Sequence, residues 1–262
     1  MYDTYIFGTS TYQCLRLLEL KNRNIIYYKF KAKTSRCFRK PTCEHLIEIK
    51  KILKNKKPKC VIFAFGCVDL AFVYFYKLFQ SKTFSEFDEK EFFDDTLSGY
   101  IDFIKSIDAE NKYILIPYHS PIDDNHLLST LKVYNIINND DISKHANEDI
   151  NKYISRKYRN HIYDTFIKEA KKRIGNSNIK IIDINPLITH KNGTVKKKYL
   201  DESKYNVHLR WLPLLKVLTK KINSHGIHEK YIDIEKINKI EKEYETIKHE
   251  QQEKILMNQN KK

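Results

Sequence analysis

The chain has 262 residues, 41% of them hydrophobic and 13% aromatic, which is enough apolar content for a full core and excludes a disordered protein. Lys and Arg number 48 against 33 Asp and Glu, a formal net charge of +15 at pH 7. This charge is scattered along the sequence, mixed with acids, and accompanied by no RNA-binding aromatic signature or helix-turn-helix pattern, so it argues for non-specific attraction to anions rather than specific nucleic-acid binding.

The elements alternate along the chain. Tyr5, Ile6 and Phe7 form a short apolar run of the kind expected of a parallel strand covered on both faces; Gly8 ends it, and Ser10 follows directly before a helical stretch from Thr11 to Leu20. A strand, a glycine turn and a serine at a helix N-terminus suit nucleophilic chemistry, because the helix end favours developing negative charge. The same pattern is also that of a serine capping a helix. A second strand is expected at Asn24 to Lys29, an irregular basic loop at Lys31 to Thr42, and a helix from Cys43 to Leu53. Cys60 to Phe65 is the most apolar strand and runs into Gly66, Cys67, Val68 and Asp69, repeating the design of the first.

Leu70 to Phe79 and Asp94 to Ile107 read as helical or mixed segments with aromatic faces. Lys112 to Pro117 is a fourth strand, emptying into a loop with His119; Lys144 to Ile174 carries one long amphipathic pattern ended by Gly175; Ile179 to Ile184 is a fifth strand. His208 precedes a last helix starting near Leu209. Strands alternating with helices imply a three-layer α/β/α sandwich around a mostly parallel five-stranded sheet, with ligands outside the carboxyl ends of the strands, where Ser10, Asp69 and His119 would gather. Residues 1–228 are expected to form this domain and 229–262 a charged C-terminal helical extension.

The five cysteines, Cys14, Cys37, Cys43, Cys60 and Cys67, are odd in number and contain no C-x-x-C pair, so the expectation is reduced thiols with neither a disulfide framework nor a structural zinc site. The first residues lack the regions of a signal peptide and no apolar run approaches a membrane span, which predicts a soluble, cytoplasmic protein.

Three stretches, Phe7-Gly8-Thr9-Ser10, Phe65-Gly66-Cys67-Val68-Asp69 and Asp201 to His208, occur in the order and approximate spacing of the blocks of SGNH/GDSL hydrolases, and the chain resembles that superfamily over about residues 1 to 222. Within it, the chain looks like a branch in which a Phe-Gly-x-Val-Asp block precedes an aromatic-rich helix, often associated with surface glycans. The resemblance implies a flavodoxin-like SGNH fold and a serine esterase or O-acyl (acetyl) transferase acting on an acylated glycan or small ester, with no cofactor and no metal. It places the nucleophile on Ser10 and the base on His208.

The family aspartate three residues before the histidine falls on Tyr205, leaving Asp201 as the available acid. The asparagine of the oxyanion hole falls on Val68, which has no donor, and the loop glycine falls on Cys37, where a positive backbone angle is disfavoured. Gly66, Asp69 and His119 complete the expected pocket, with His119 or Asn125 able to replace the missing donor. The competing reading is a catalytically degenerate SGNH-fold module that binds or scaffolds glycans, and Val68 is the residue that favours it.

Overall fold

A computed structural model describes residues 3–18 and 25–225. Five strands, β1 (Thr4–Gly8), β2 (Ile25–Lys29), β3 (Cys60–Ala64), β4 (Asn111–Leu115) and β5 (Ile179–Ile182), form one sheet in the order β2-β1-β3-β4-β5. All four pairings are parallel, as the alternation of strands and helices requires. Every residue of β1 and β3 is buried, because both strands are central and both faces are covered.

The pleat sorts side chains between two layers. Tyr5, Phe7, Val61 and Phe63 enter one core, and Ile6, Ile62, Tyr113 and Leu115 the other. Phe7 stacks on both Tyr28 and Phe63, with ring centroids 5.2 Å away in each case. Helices Glu44–Lys56, Glu89–Ser106 and Arg156–Ile174 supply the first layer; the second holds helix Trp211–Asn223 and the Ser10–Leu18 segment. The strand order reverses between β1 and β3, the position at which ligands bind in doubly wound sheets.

Several local expectations change. The stretch after β1 is a 3₁₀ helix, Ser10–Leu18, kinked at Tyr12, rather than an α-helix. The single long pattern from Lys144 to Ile174 is broken into Ile150–Ile154 and Arg156–Ile174, because Asp149 caps the first helix and Ser155 the second while the apolar spacing runs on across the break. The basic loop contains a 3₁₀ turn, Ser35–Arg39, and Cys37 is bonded to Cys43 at the end of helix Glu44–Lys56. This corrects the expectation of reduced thiols for that pair; six residues of separation bring the two together without a C-x-x-C spacing. Cys14, Cys60 and Cys67 are free and buried. The extension expected at 229–262 lies outside the described residues. Among those that are described, no helix is long and apolar enough to cross a membrane.

Candidate active site

Ser10 stands immediately beyond β1, on a turn held from both neighbouring strands. Thr9 donates its N–H to the Ala64 carbonyl at the end of β3 (3.3 Å) and accepts the Tyr27 hydroxyl from β2 through its own carbonyl (2.6 Å). Gly8 makes this approach feasible: a Cβ there would lie 2.7 Å from the Tyr27 oxygen and 3.0 Å from the Ala64 Cβ. Ser10 also opens the 3₁₀ helix, so the first backbone N–H groups beside its hydroxyl have no acceptor within that helix.

His208 reaches this turn from the segment before the last helix. Its Nε2 lies 3.2 Å from Ser10 Oγ. Its Nδ1 lies 3.0 Å from Asn206 Oδ1, and the same oxygen accepts the His208 backbone N–H at 2.9 Å. A backbone N–H can only donate, so the Asn206 amide must present its oxygen here. An oxygen facing Nδ1 in turn requires a proton on Nδ1, which leaves Nε2 free to accept the Ser10 hydroxyl proton. One side chain thus fixes the tautomer that a serine–histidine pair needs.

Asn206 was not foreseen. It faces His208 Nδ1, for which Asp201 was the expected acid; Asp201 Oδ1 accepts the Ser203 N–H at 3.0 Å in the turn preceding the histidine segment. Both are side-chain turns from residue i to i+2, and an Asn two residues before a His is the local signal that could have revealed the contact. Tyr118 was missed as well. At the end of β4 its hydroxyl lies 3.3 Å from the Val207 carbonyl and 3.3 Å from the Leu209 N–H, and its ring packs edge-on against Tyr12.

The remaining expected pocket residues disperse. Gly66 adopts φ +101°, and a Cβ on it would meet the Phe166 ring at 2.8 Å, so it makes the turn after β3 without facing Ser10. Asp69 is fully buried beneath the basic loop, where its carboxylate accepts the Ser35 N–H (2.8 Å), the Ser35 hydroxyl (2.9 Å) and the Arg36 N–H (3.4 Å). Burial pushes its carboxyl above the usual range, against these hydrogen bonds.

His119 turns the other way. Its N–H is held by Asn185 Oδ1 at 2.8 Å, and its ring faces Gly193 and Asp164 in a separate polar cavity. Asn125 is exposed on helix Asp124–Val133. Cys37 lines a different hollow from Ser10. The residues of that loop that line the Ser10 cavity are Lys31 and Ala32, and Ala32 has φ 53°, the left-handed backbone that a glycine supplies in the family's oxyanion loop.

Ser10 and His208 open into a cavity of about 310 Å³. Its walls are mostly apolar, with Val68, Ala71, Phe72, Pro121, Tyr163 and Val207 among them. Such a chamber suits an uncharged, largely apolar group. Cys67 also lines it, but burial pushes that thiol up to about 12, so it stays protonated and does not compete with Ser10 as a nucleophile. The rim is fixed by Arg159, itself 2% exposed, which donates to Ser120 Oγ (3.0 Å) and the Ile122 carbonyl (2.5 Å) and pairs with Asp124. Among the described residues, Cys37, Cys43 and His45 alone bring three potential metal-ligand atoms within 4.8 Å, and the bond between the two sulfurs occupies the thiolates an ion would need.

At the level of sequence, no family model and no curated protein matches the chain. Solved structures do. A lipase from a goat rumen metagenome is 13% identical, with a TM-score of 0.51 over 87% of this chain and 99% of its own. A Bacteroides fragilis protein assigned as an acylhydrolase is 12% identical, with a TM-score of 0.50 over 85% of both chains. The chain shares with them a three-layer α/β/α fold, with its sheet entirely parallel.

Proposed function

We propose that this protein is a serine ester hydrolase, and the observation that carries the reading is the hydrogen-bonded series Ser10 Oγ, His208 Nε2, His208 Nδ1, Asn206 Oδ1 at the mouth of an apolar cavity. Ser10 Oγ attacks the ester carbonyl while its proton passes to His208 Nε2. The oxyanion that forms is met by backbone N–H groups of the Ser10 turn and of the Ala32 loop. Collapse breaks the bond to the alcohol, which leaves with the proton from Nε2 and leaves an acyl group on Ser10. Water, deprotonated by the same nitrogen, then releases the acid; an alcohol in place of water would make the reaction an O-acyl transfer. The glycan-associated resemblance supports an acylated carbohydrate as substrate.

A second reading, a glycan-binding module without turnover, is favoured by one observation: Val68 gives the oxyanion no donor. A fluorophosphonate probe separates the two, since it needs an activated serine but little help at the oxyanion. Wild-type protein should be labelled, Ser10→Ala should not, and His208→Ala should lose most labelling. Folded wild type that resists the probe would overturn the esterase reading.

A further inference from the structure

The segments that wall the chamber at Ser10 run on past it to a neighbouring cavity. Two segments line the chamber from one side, Lys31 and Ala32 of the basic loop and Val68, Ala71 and Phe72 of the helical stretch after β3. The next residues of the same two segments, Thr34 to Lys40 and Val73 to Lys77, line a second cavity of about 530 Å³. The two cavities share no lining residue, but the same loop and the same helical stretch run from one to the other, apolar at Ser10 and cationic beyond.

The far end carries Arg36, Arg39, Lys40 and Lys77 against a single carboxylate, Asp95. Asp95 pairs with both arginines, Arg36 at 2.6 Å, while Lys40 and Lys77 are exposed and have no ion pair among the described residues. Asp88 and Glu91 adjoin Arg36 and Lys77 in a neighbouring hollow and offset part of the field on that side; they do not line the second cavity itself. Tyr76 stands at the same place with 47% of its surface exposed, a large ring left in water beside unpaired cations. A flat apolar ring with charged donors beside it meets both aspects of an acidic sugar, its apolar ring face and its anionic substituent.

We infer that this second cavity, beside the chamber, holds the alcohol side of the substrate and that this alcohol is an anionic carbohydrate, a sugar bearing carboxylate or sulfate groups, bound by Lys40, Lys77 and Tyr76 while its acyl group enters the chamber at Ser10. The inference rests on the esterase reading for its orientation but not for the binding itself, and two measurements keep them apart.

The first is calorimetric titration of full-length Ser10→Ala protein with trigalacturonic acid, a heparin-derived tetrasaccharide and neutral maltotriose. Either anionic oligosaccharide should bind, more weakly as salt rises, and the Lys40→Ala/Lys77→Ala double variant should lose about tenfold in affinity. The two anionic arms show whether carboxylate or sulfate is preferred. Maltotriose binding as well as both, or inorganic phosphate competing as well as the oligosaccharides, would overturn the proposal.

The second measurement compares acetylated galacturonate with acetylated neutral sugar as substrates. kcat/KM should favour the acidic ester, and the double variant should abolish that preference while leaving hydrolysis of a neutral aryl acetate unchanged. Binding without turnover of any ester would leave the second cavity's role standing and sink the esterase; turnover with no preference for the acidic ester would do the reverse.

Discussion

Tyr118 closes on both chain neighbours of His208: its hydroxyl lies 3.3 Å from the Val207 carbonyl and 3.3 Å from the Leu209 N–H. One phenol at the end of β4 thereby sets where a loop residue presents its imidazole. Tyr118→Phe keeps the ring against Tyr12 but leaves a carbonyl and an N–H without this partner, a cost of about 1–3 kcal/mol. We expect ester turnover to fall by about tenfold to a hundredfold, mainly in kcat, because the histidine is less well placed. A Tyr118→Phe enzyme of unchanged kcat would show that the segment holds its position unaided.

Asn206 should matter in two opposite ways. Asn206→Ala removes the oxygen that selects the Nδ1–H tautomer, and loss of the correct tautomer in such pairs costs on the order of 10⁴ in kcat. Asn206→Asp keeps an acceptor and adds charge, which favours the imidazolium formed during attack. Turnover of aryl acetates should rise in Asn206→Asp, and the acid limb of its pH–rate profile should move to higher pH. Equal rates for wild type and Asn206→Ala would remove this residue from the mechanism.

Val68 lines the chamber at the position where the resemblance implies an asparagine donor. If the oxyanion lacks that donor, Val68→Asn should increase kcat on unactivated esters, by up to about 10²-fold, while fluorophosphonate labelling changes little. A loss of activity in well-folded Val68→Asn protein would mean that this wall serves to pack the acyl group instead.

Asp69 gives stability a pH signature. Its carboxyl is raised by burial, so the fold binds that proton more tightly than the unfolded chain does. The resulting stabilisation is fully present below the ordinary carboxylate range and is lost as pH rises through the raised value. In urea unfolding, Asp69→Asn should therefore gain on wild type as pH rises from the ordinary carboxylate range, whatever fixed cost the amide brings against Ser35 and Arg36. Parallel pH profiles for the two proteins would rule this out.

The sheet was legible because its signals are local. β1 and β3 are uninterrupted apolar runs ending in glycine, and a parallel strand buried on both faces has no other pattern to show. That Ser10 and His208 meet was legible through the order of their blocks along the chain. Asn206 and Tyr118 were not, since their roles depend on a loop folding back on itself and on the end of β4 meeting a segment 89 residues later. His119 misled for the complementary reason: it sits at the correct end of the sheet, but Asn185 holds its backbone so that the ring turns away from Ser10 while Tyr118 and Ser120 on either side line the chamber. The Cys37–Cys43 bond was hidden because spacing rules for cysteines describe common frameworks, and a turn followed by a helix start can join two sulfurs at other spacings.

The separation of 198 positions between Ser10 and His208 has a consequence for synthesis. At about 5–20 residues per second on the ribosome, the serine waits roughly 10–40 seconds before its partner has even been made. Throughout that interval the nascent chain carries an ordinary hydroxyl, so acylation begins only when the last segment docks on the first, and reaction with an activated ester becomes a timer for the completion of folding.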